Sequence, residues 1–262
     1  RLVTGRGDIV KSGGRVMKNV TGLDLVKLNC GAWGTLGVLT EVIFKVLPKP
    51  ARSLSVGLGG MNDTTAIAAL TAALGSSFAV SAAAHIPASI GSDSTTIVRL
   101  EGSDGSVAYG ARELAKLWRS FGRAELIEGD ESANLWLRVR DAHWLAQPMD
   151  RSIWRLSLAP SKAPHVLADI RQKLGVRYFF DWGGGLVWLA VVDADDAGAS
   201  VVREAMANTG GHATLVRASS EMRHRIDVFE PLPPAVLKLT QEIKKCFDPD
   251  RVLNFGRMYA GI

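Results

Sequence analysis

The order of apolar segments constrains this fold more than any single residue does. Between positions 53 and 127 the chain reads strand, helix, strand, strand, helix, strand. The strands lie at 53–58, 79–85, 95–101 and 124–127, and the helices at 64–74 and 105–121. Leu114, Leu117, Trp118 and Phe121 recur at helical spacing. Asn62 or Asp63 stands where the first helix needs its cap. The same order returns from 152 to 217, with strands at 152–158, 176–181, 186–192 and 213–217 and helices at 163–174 and 195–208. The residues do not repeat; the order of elements does. A β-α-β-β-α-β unit is the split motif of ferredoxin-like folds. The chain is therefore expected to be α+β, with an antiparallel sheet built from two such units and helices on one face. The opposite face would be free to cover something. A helix at 131–144, carrying Trp136, Val139, His143 and Trp144, joins the two units.

The flanks follow another pattern. From 13 to 50 the sequence is GGRVMKNVTGLDLVKLNCGAWGTLGVLTEVIFKVLPKP, with glycine at 13, 14, 22, 31, 34 and 37. Glycine at that density ahead of a strand marks backbone that turns tightly or approaches something closely. The spacing predicts a hairpin of strands 1–4 and 9–11 turning at Gly5-Arg6-Gly7-Asp8, a short helix at 24–29 begun by Asp24, and a strand at 38–47. Gly34, Thr35, Leu36 and Gly37 offer backbone amides and the Thr35 hydroxyl to a polar ligand, and Lys18 and Asn19 add a cation and an amide. These groups suit a flavin, whose pyrimidine edge needs donors and acceptors and whose reduced form is anionic. A glycine-rich turn of any α/β domain accounts for the same spacing. Pro48 and Pro50 mark a boundary, which gives segments 1–49, 50–232 and 233–262, the last holding a helix at 235–246 and a turn-like tail. The opening Arg-Leu-Val-Thr has no Met and already reads as strand, so a fragment lacking its N-terminal portion is expected.

Composition narrows the class. Of 262 residues, 47% are hydrophobic and 22% charged, and the net charge of +5 gathers in no Lys/Arg block, which argues against a nucleic-acid partner. Cys30 and Cys246 are far apart and read as reduced, partly buried residues of an intracellular protein. No apolar run is long enough to span a bilayer, and no signal peptide is expected. His85, His143, His165, His212 and His224 show no metal-ligand spacing, so no metal is expected. Neither Gly-x-Ser-x-Gly nor a Walker loop occurs. Asp193, Asp195 and Asp196 read as charge at a helix start. Arg217, Arg223, His224 and Arg225 read as a solvated face, with an anion site as the alternative.

Two segments carry a resemblance. GGRVMKNVTGLDLVKL followed by GAWGTLGVLTEVIFKVLPKP resembles the second half of the flavin domain of the vanillyl-alcohol-oxidase superfamily, and more narrowly the FAD-binding E-type subunits of bacterial glycolate oxidases. FDPDRVLNFGRM at 247–258 is similar to that family's C-terminal signature, with Phe255 where the family usually has Pro. The resemblance implies FAD as cofactor, contacted by Lys18, Asn19, Gly22, Asp24, Gly34, Thr35, Gly37 and Val38, with Asn254 as a further contact. It implies a substrate-side cap domain between the two segments and oxidation of glycolate or a similar 2-hydroxy acid, with flavoprotein and iron–sulfur partner subunits. It implies a cytoplasmic protein, at most peripheral at the inner membrane. The family's pyrophosphate-binding first half is missing from this chain, so weak or absent flavin binding is expected of it alone. The hairpin 181–188 lacks the histidine motif of related D-2-hydroxyacid dehydrogenases, and no catalytic residue is assigned. A second reading, motivated by that missing motif and by seven tryptophans, is a non-catalytic module that docks partner subunits.

Overall fold

The computed structural model describes residues 1–15, 22–192 and 194–262. They divide into two compact units, 1–48 with 227–262, and 49–226. In the first unit, β1 (Leu2–Val3) pairs antiparallel with β2 (Ile9–Val10). Thr4 closes the turn between them, its hydroxyl accepting from the Arg6 and Asp8 amides. Arg6-Gly7-Asp8 is thus a hairpin turn. A one-turn helix, α1 (Leu25–Asn29), begins where the Asp24 carboxylate accepts from the Lys27 amide at 3.1 Å. The strand expected at 38–47 is short: β3 (Val38–Leu39) pairs with β1, and the Thr40 and Glu41 amides then reach only the Arg1 carbonyl. A β-branched run becomes a ladder only where a neighbour takes its peptide groups. Val42, Phe44, Val46 and Leu47 stay exposed.

In the second unit the expected order appears twice. The first repeat is β4 (Arg52–Gly59), α2 (Asp63–Leu74), β5 (Val80–Ile86), β6 (Thr95–Gly102), α3 (Asp104–Leu117) and β7 (Glu125–Ile127). After α4 (Gly129–Arg140) and α5 (His143–Ala146) comes the second: β8 (Ser152–Ser157), α6 (Ala163–Lys173), β9 (Gly175–Asp181), β10 (Leu186–Val192), α7 (Ala199–Met206) and β11 (His212–Arg217). The sheet order is β11-β8-β10-β9-β5-β6-β4-β7, antiparallel throughout. Each repeat places its third strand between its first and second, and the two second strands, β5 and β9, fuse the repeats with His85 opposite Phe180. The large side chains toward the repeat helices are fully buried and their polar tips are satisfied. Trp118 Nε1 donates to the Ala69 carbonyl at 2.9 Å and Trp154 Nε1 to the Ala197 carbonyl at 2.8 Å.

The opposite face is not free. Trp136 and Val139 of α4, with Trp144 and Leu145 of α5, pack on Ala84, Ile86, Ile97, Phe179 and Ala190. Trp136 Nε1 donates to Ser55 Oγ at 2.7 Å, and Ser55 shares a second 2.7 Å bond with Ser132. The helix expected at 131–144 therefore serves as a cover, and it breaks in two because Ala142 takes a left-handed φ of 45°. Trp118, Trp136, Trp144 and Trp154 are buried, so most of the tryptophans are core residues and not interface anchors.

Three smaller expectations also change. The helix expected from 195 starts at Ala199, because the Asp196 carboxylate accepts from the Gly198 and Ser200 amides and turns the chain first. Asp193 lies outside the described residues. Arg217 is no solvated charge: its guanidinium donates to the carbonyls of Leu145, Ala146, Pro148 and Arg151, fastening the link between repeats to β11. A helix that the pattern did not announce, α8 (Ser220–Arg225), follows it. Cys30 and Cys246 are free and exposed, where partial burial was expected. In the first unit the last helix, α9 (Pro234–Phe247), precedes a tail of turns. No helix among the described residues is long and apolar enough to cross a membrane.

Candidate functional site

The turn at 31–37 is built by short-range bonds. The Ala32 amide donates to the Asn29 carbonyl, and both the amide and the hydroxyl of Thr35 donate to the Ala32 carbonyl, at 2.9 and 2.7 Å. Gly34 has φ 72°, and a Cβ there would sit 2.7 Å from Asn254 Nδ2. That nitrogen donates to the Trp33 carbonyl at 2.8 Å. The close approach that glycine permits at 34 is thus to the C-terminal tail. The turn and the tail together enclose a pocket of about 380 Å³, lined by Asn29, Ala32, Gly34, Gly37, Val38, Leu39, Val252, Leu253 and Asn254.

Four of the sequence-chosen residues meet here: Gly34, Gly37, Val38 and Asn254. Gly22 and Asp24 do not line the pocket, and Asp24 is occupied as the cap of α1 and in an ion pair with Lys27 at 3.0 Å. Thr35 corrects its reading as a free hydroxyl: the side chain is 2% exposed and donates within its own turn. Lys18 and Asn19 lie outside the described residues. The pocket joins apolar walls to two carboxamides and to a turn with no side chain at Gly34, and among the described residues none that lines it is charged. Its size is near the lower end for ligand pockets, about 300–1,000 Å³. Such a donor set fits the flat, hydrogen-bonding edge of a flavin ring and does not fit a pyrophosphate.

Sequence reasoning missed what holds the pocket together. Lys244 is 4% exposed, and its ammonium donates to Asp248 Oδ2 at 2.5 Å, to the Leu253 carbonyl at 2.7 Å and to the Thr35 carbonyl at 2.8 Å. Asp248 is fully buried and also accepts from the Val252 and Leu253 amides. Burial pushes its carboxyl pKa up, but the bonds from Lys244 and the two amides outweigh this and hold it below the ordinary carboxylate value. The signal was the i,i+4 spacing of Lys244 and Asp248 at the end of a helix.

The second unit holds two other polar features. A cavity of about 1010 Å³ lies between the sheet and α4, with Arg99, Trp136, Asp181 and Trp182 in its wall. Burial raises the Asp181 carboxyl, against the pull of the Trp182 amide and Arg155. At the seam of the repeats, His85 is fully buried, with Nδ1 2.9 Å from Thr96 Oγ1 and Nε2 3.3 Å from Asp63 Oδ1, the latter without hydrogen-bond geometry. Tyr178 donates to Asp63 Oδ2 at 2.6 Å and accepts from Arg171 at 3.0 Å.

Comparison with known proteins gives these features a context. No protein-family model matches the chain. It is 34% identical over 261 residues to the glycolate oxidase subunit GlcE of Escherichia coli, covering 99% of this chain and 64% of that protein. It is 24% identical over 309 aligned positions to the D-2-hydroxyglutarate dehydrogenase of Stutzerimonas stutzeri, again 99% of this chain and 64% of the relative. Among solved structures, substrate-bound p-cresol methylhydroxylase superposes with a TM-score of 0.71 over 98% of this chain and 63% of that one, at 15% identity, which establishes likeness of fold. By relatives the chain is similar to FAD-linked and hydroxy-acid oxidoreductases, and its fold is like that of p-cresol methylhydroxylase. Along nearly its whole length it is similar to the glycolate oxidase subunit GlcE, of which it spans 64%.

Proposed function

We propose that this chain supplies the ring-side half of a flavin site, together with the substrate-side domain, in the FAD-binding subunit of a complex that oxidises glycolate or a similar small 2-hydroxy acid. The observation that carries the reading is the convergence of Gly34, Gly37, Val38 and Asn254 on one pocket whose described lining is uncharged. The relatives named above, a glycolate oxidase subunit and a hydroxy-acid dehydrogenase, support the substrate class. They do not favour the docking-module alternative.

When bound, FAD supplies the acceptor for the hydride that leaves the substrate's C2 as the hydroxyl proton departs, giving the 2-oxo acid. The chain's own part is to hold and orient. The Asn29 and Asn254 carboxamides each spend one N–H on a backbone carbonyl, of Leu25 and Trp33, and offer the amide oxygen and second N–H to the ring's polar edge, while Ala32, Val38, Leu39, Val252 and Leu253 keep water from its apolar part. Among the described residues none that lines the pocket is a cation to match a pyrophosphate, so the grip on that part of the cofactor belongs to residues beyond these. Electrons would then pass to flavoprotein and iron–sulfur partner subunits.

The test is to purify the full-length protein with its partners and record its absorbance before and after anaerobic addition of glycolate. A flavin spectrum that bleaches with glycolate is expected. A protein that is colourless and refuses added FAD would sink the reading.

A further inference from the structure

We propose that Lys244 is a positioning residue for the flavin pocket, clamping the 31–37 turn and the 252–254 tail into one wall through the Thr35 and Leu253 carbonyls. The inference rests on the reading of the Gly34–Asn254 pocket as the ring-side flavin site.

The clamp has few alternatives open to it. An ammonium has three protons, and all three are used: one on Asp248, one on the turn and one on the tail. At 4% exposure no water can replace a lost partner easily, so moving either segment leaves part of a buried charge unmet. Asp248 completes the joint from the other side, fixing the tail through the Val252 and Leu253 amides. Space around the pair is closed as well. The Gly5 amide donates to the Phe247 carbonyl at 2.9 Å, and any Cβ on Gly5 would overlap the Asp248 carboxylate. The β1–β2 hairpin, the turn and the tail therefore meet at one ion pair.

The consequence for the pocket is direct. Thr35 sits between Gly34 and Gly37, and Leu253 is itself a lining residue beside Asn254. Both carbonyls are tied to the same nitrogen, so the distance between the two walls is set by Lys244 Nζ. A second tie, from Asn254 Nδ2 to the Trp33 carbonyl, joins the same two segments. A ring held between such walls meets them at the spacing the clamp imposes, which is where preorganisation lowers the ordering cost of binding.

The test uses the full-length protein and the pair Lys244→Met with Asp248→Asn, which removes both charges together and so avoids leaving one buried alone. The double variant is expected to fold and to bind FAD at least tenfold more weakly, with an altered visible spectrum of whatever flavin remains bound. A merely structural pair would lower thermal stability and leave the bound spectrum as it was. A folded double variant with wild-type FAD affinity and spectrum would overturn the proposal. Hydrogen exchange on the wild type supplies the second arm. Peptides covering 31–37 and 252–256 are expected to gain protection together when FAD is added, and protection of one alone counts against the clamp even if the double variant fails to fold. If the wild type takes no FAD, the cofactor reading fails separately. The clamp is then decided without FAD: both peptides must lose protection together in the double variant, and unequal loss overturns it.

Discussion

Tyr178 donates a 2.6 Å hydrogen bond to the Asp63 carboxylate, and with it the second repeat holds the first. Asp63 opens α2 of one repeat, Tyr178 lies on β9 of the other, and Arg171 of α6 donates to the same phenol oxygen at 3.0 Å. Burial, followed by the neighbouring Asp63 carboxylate, pushes the phenol well above its ordinary pKa, which keeps it a donor around neutral pH. Tyr178→Phe removes that donor from a partly buried carboxylate. It is expected to cost about 1–3 kcal/mol, read from urea denaturation, and to raise the Asp63 pKa, read by NMR titration.

Asp63 and Asp248 contribute stability that is lost in acid. Burial pushes both Asp63 and Asp248 up, but hydrogen bonds to the charged forms prevail and hold both below the ordinary value. A depressed carboxyl binds its proton more weakly in the folded chain than in the unfolded one. Its stabilisation is therefore complete above the unfolded pKa of about 3.9 and is lost as the pH falls through the lower folded value. Their contribution to the urea midpoint is expected to hold steady from pH 7 to about 5 and to decline in more acid solution. Asp63→Asn should make that decline shallower.

Arg217 carries the link between repeats. Its guanidinium donates to four backbone carbonyls of the 145–151 segment. Arg217→Leu is expected to lower stability by about 1.5–3 kcal/mol and to open that segment to limited proteolysis. Arg217→Lys should rescue little, because an ammonium cannot present the planar fork that reaches several carbonyls at once.

The helices α4 and α5 cover the sheet through one polar node. Ser55 Oγ accepts from Trp136 Nε1 and shares a bond with Ser132. Ser55→Ala leaves a buried indole N–H unpaired. A loss of about 1–3 kcal/mol, with a change in tryptophan fluorescence, is expected.

The doubled β-α-β-β-α-β order was legible because each element carries its own period and each unit closes locally. The fusion of β5 to β9 was not, since no residue pattern distinguishes an edge that stays open from one that pairs. The run at 38–47 misled for the same reason: Val42, Phe44 and Val46 have strand propensity, but a ladder needs a neighbour. The break at Ala142 and the role of Arg217 depend on carbonyls whose positions are set by tertiary packing. In the pocket, glycines announced themselves at 34 and 37, and the tail signature announced Asn254. Thr35 misled because a hydroxyl in a turn is as readily spent on its own backbone as offered to a ligand. Lys244 and Asp248 sit among ordinary helix charges, and only burial tells them apart from a solvated pair.

The central claim is that the Gly34–Asn254 pocket receives the flavin ring. Val38 lines it, is 55% exposed and lies on a strand, where a larger side chain meets no backbone conflict. The most direct measurement is the FAD dissociation constant of the full-length protein and of its Val38→Trp variant, each shown to be folded by circular dichroism. The indole would fill much of a pocket of about 380 Å³. The account predicts that affinity falls at least tenfold, and wild-type affinity in a folded Val38→Trp protein would contradict it.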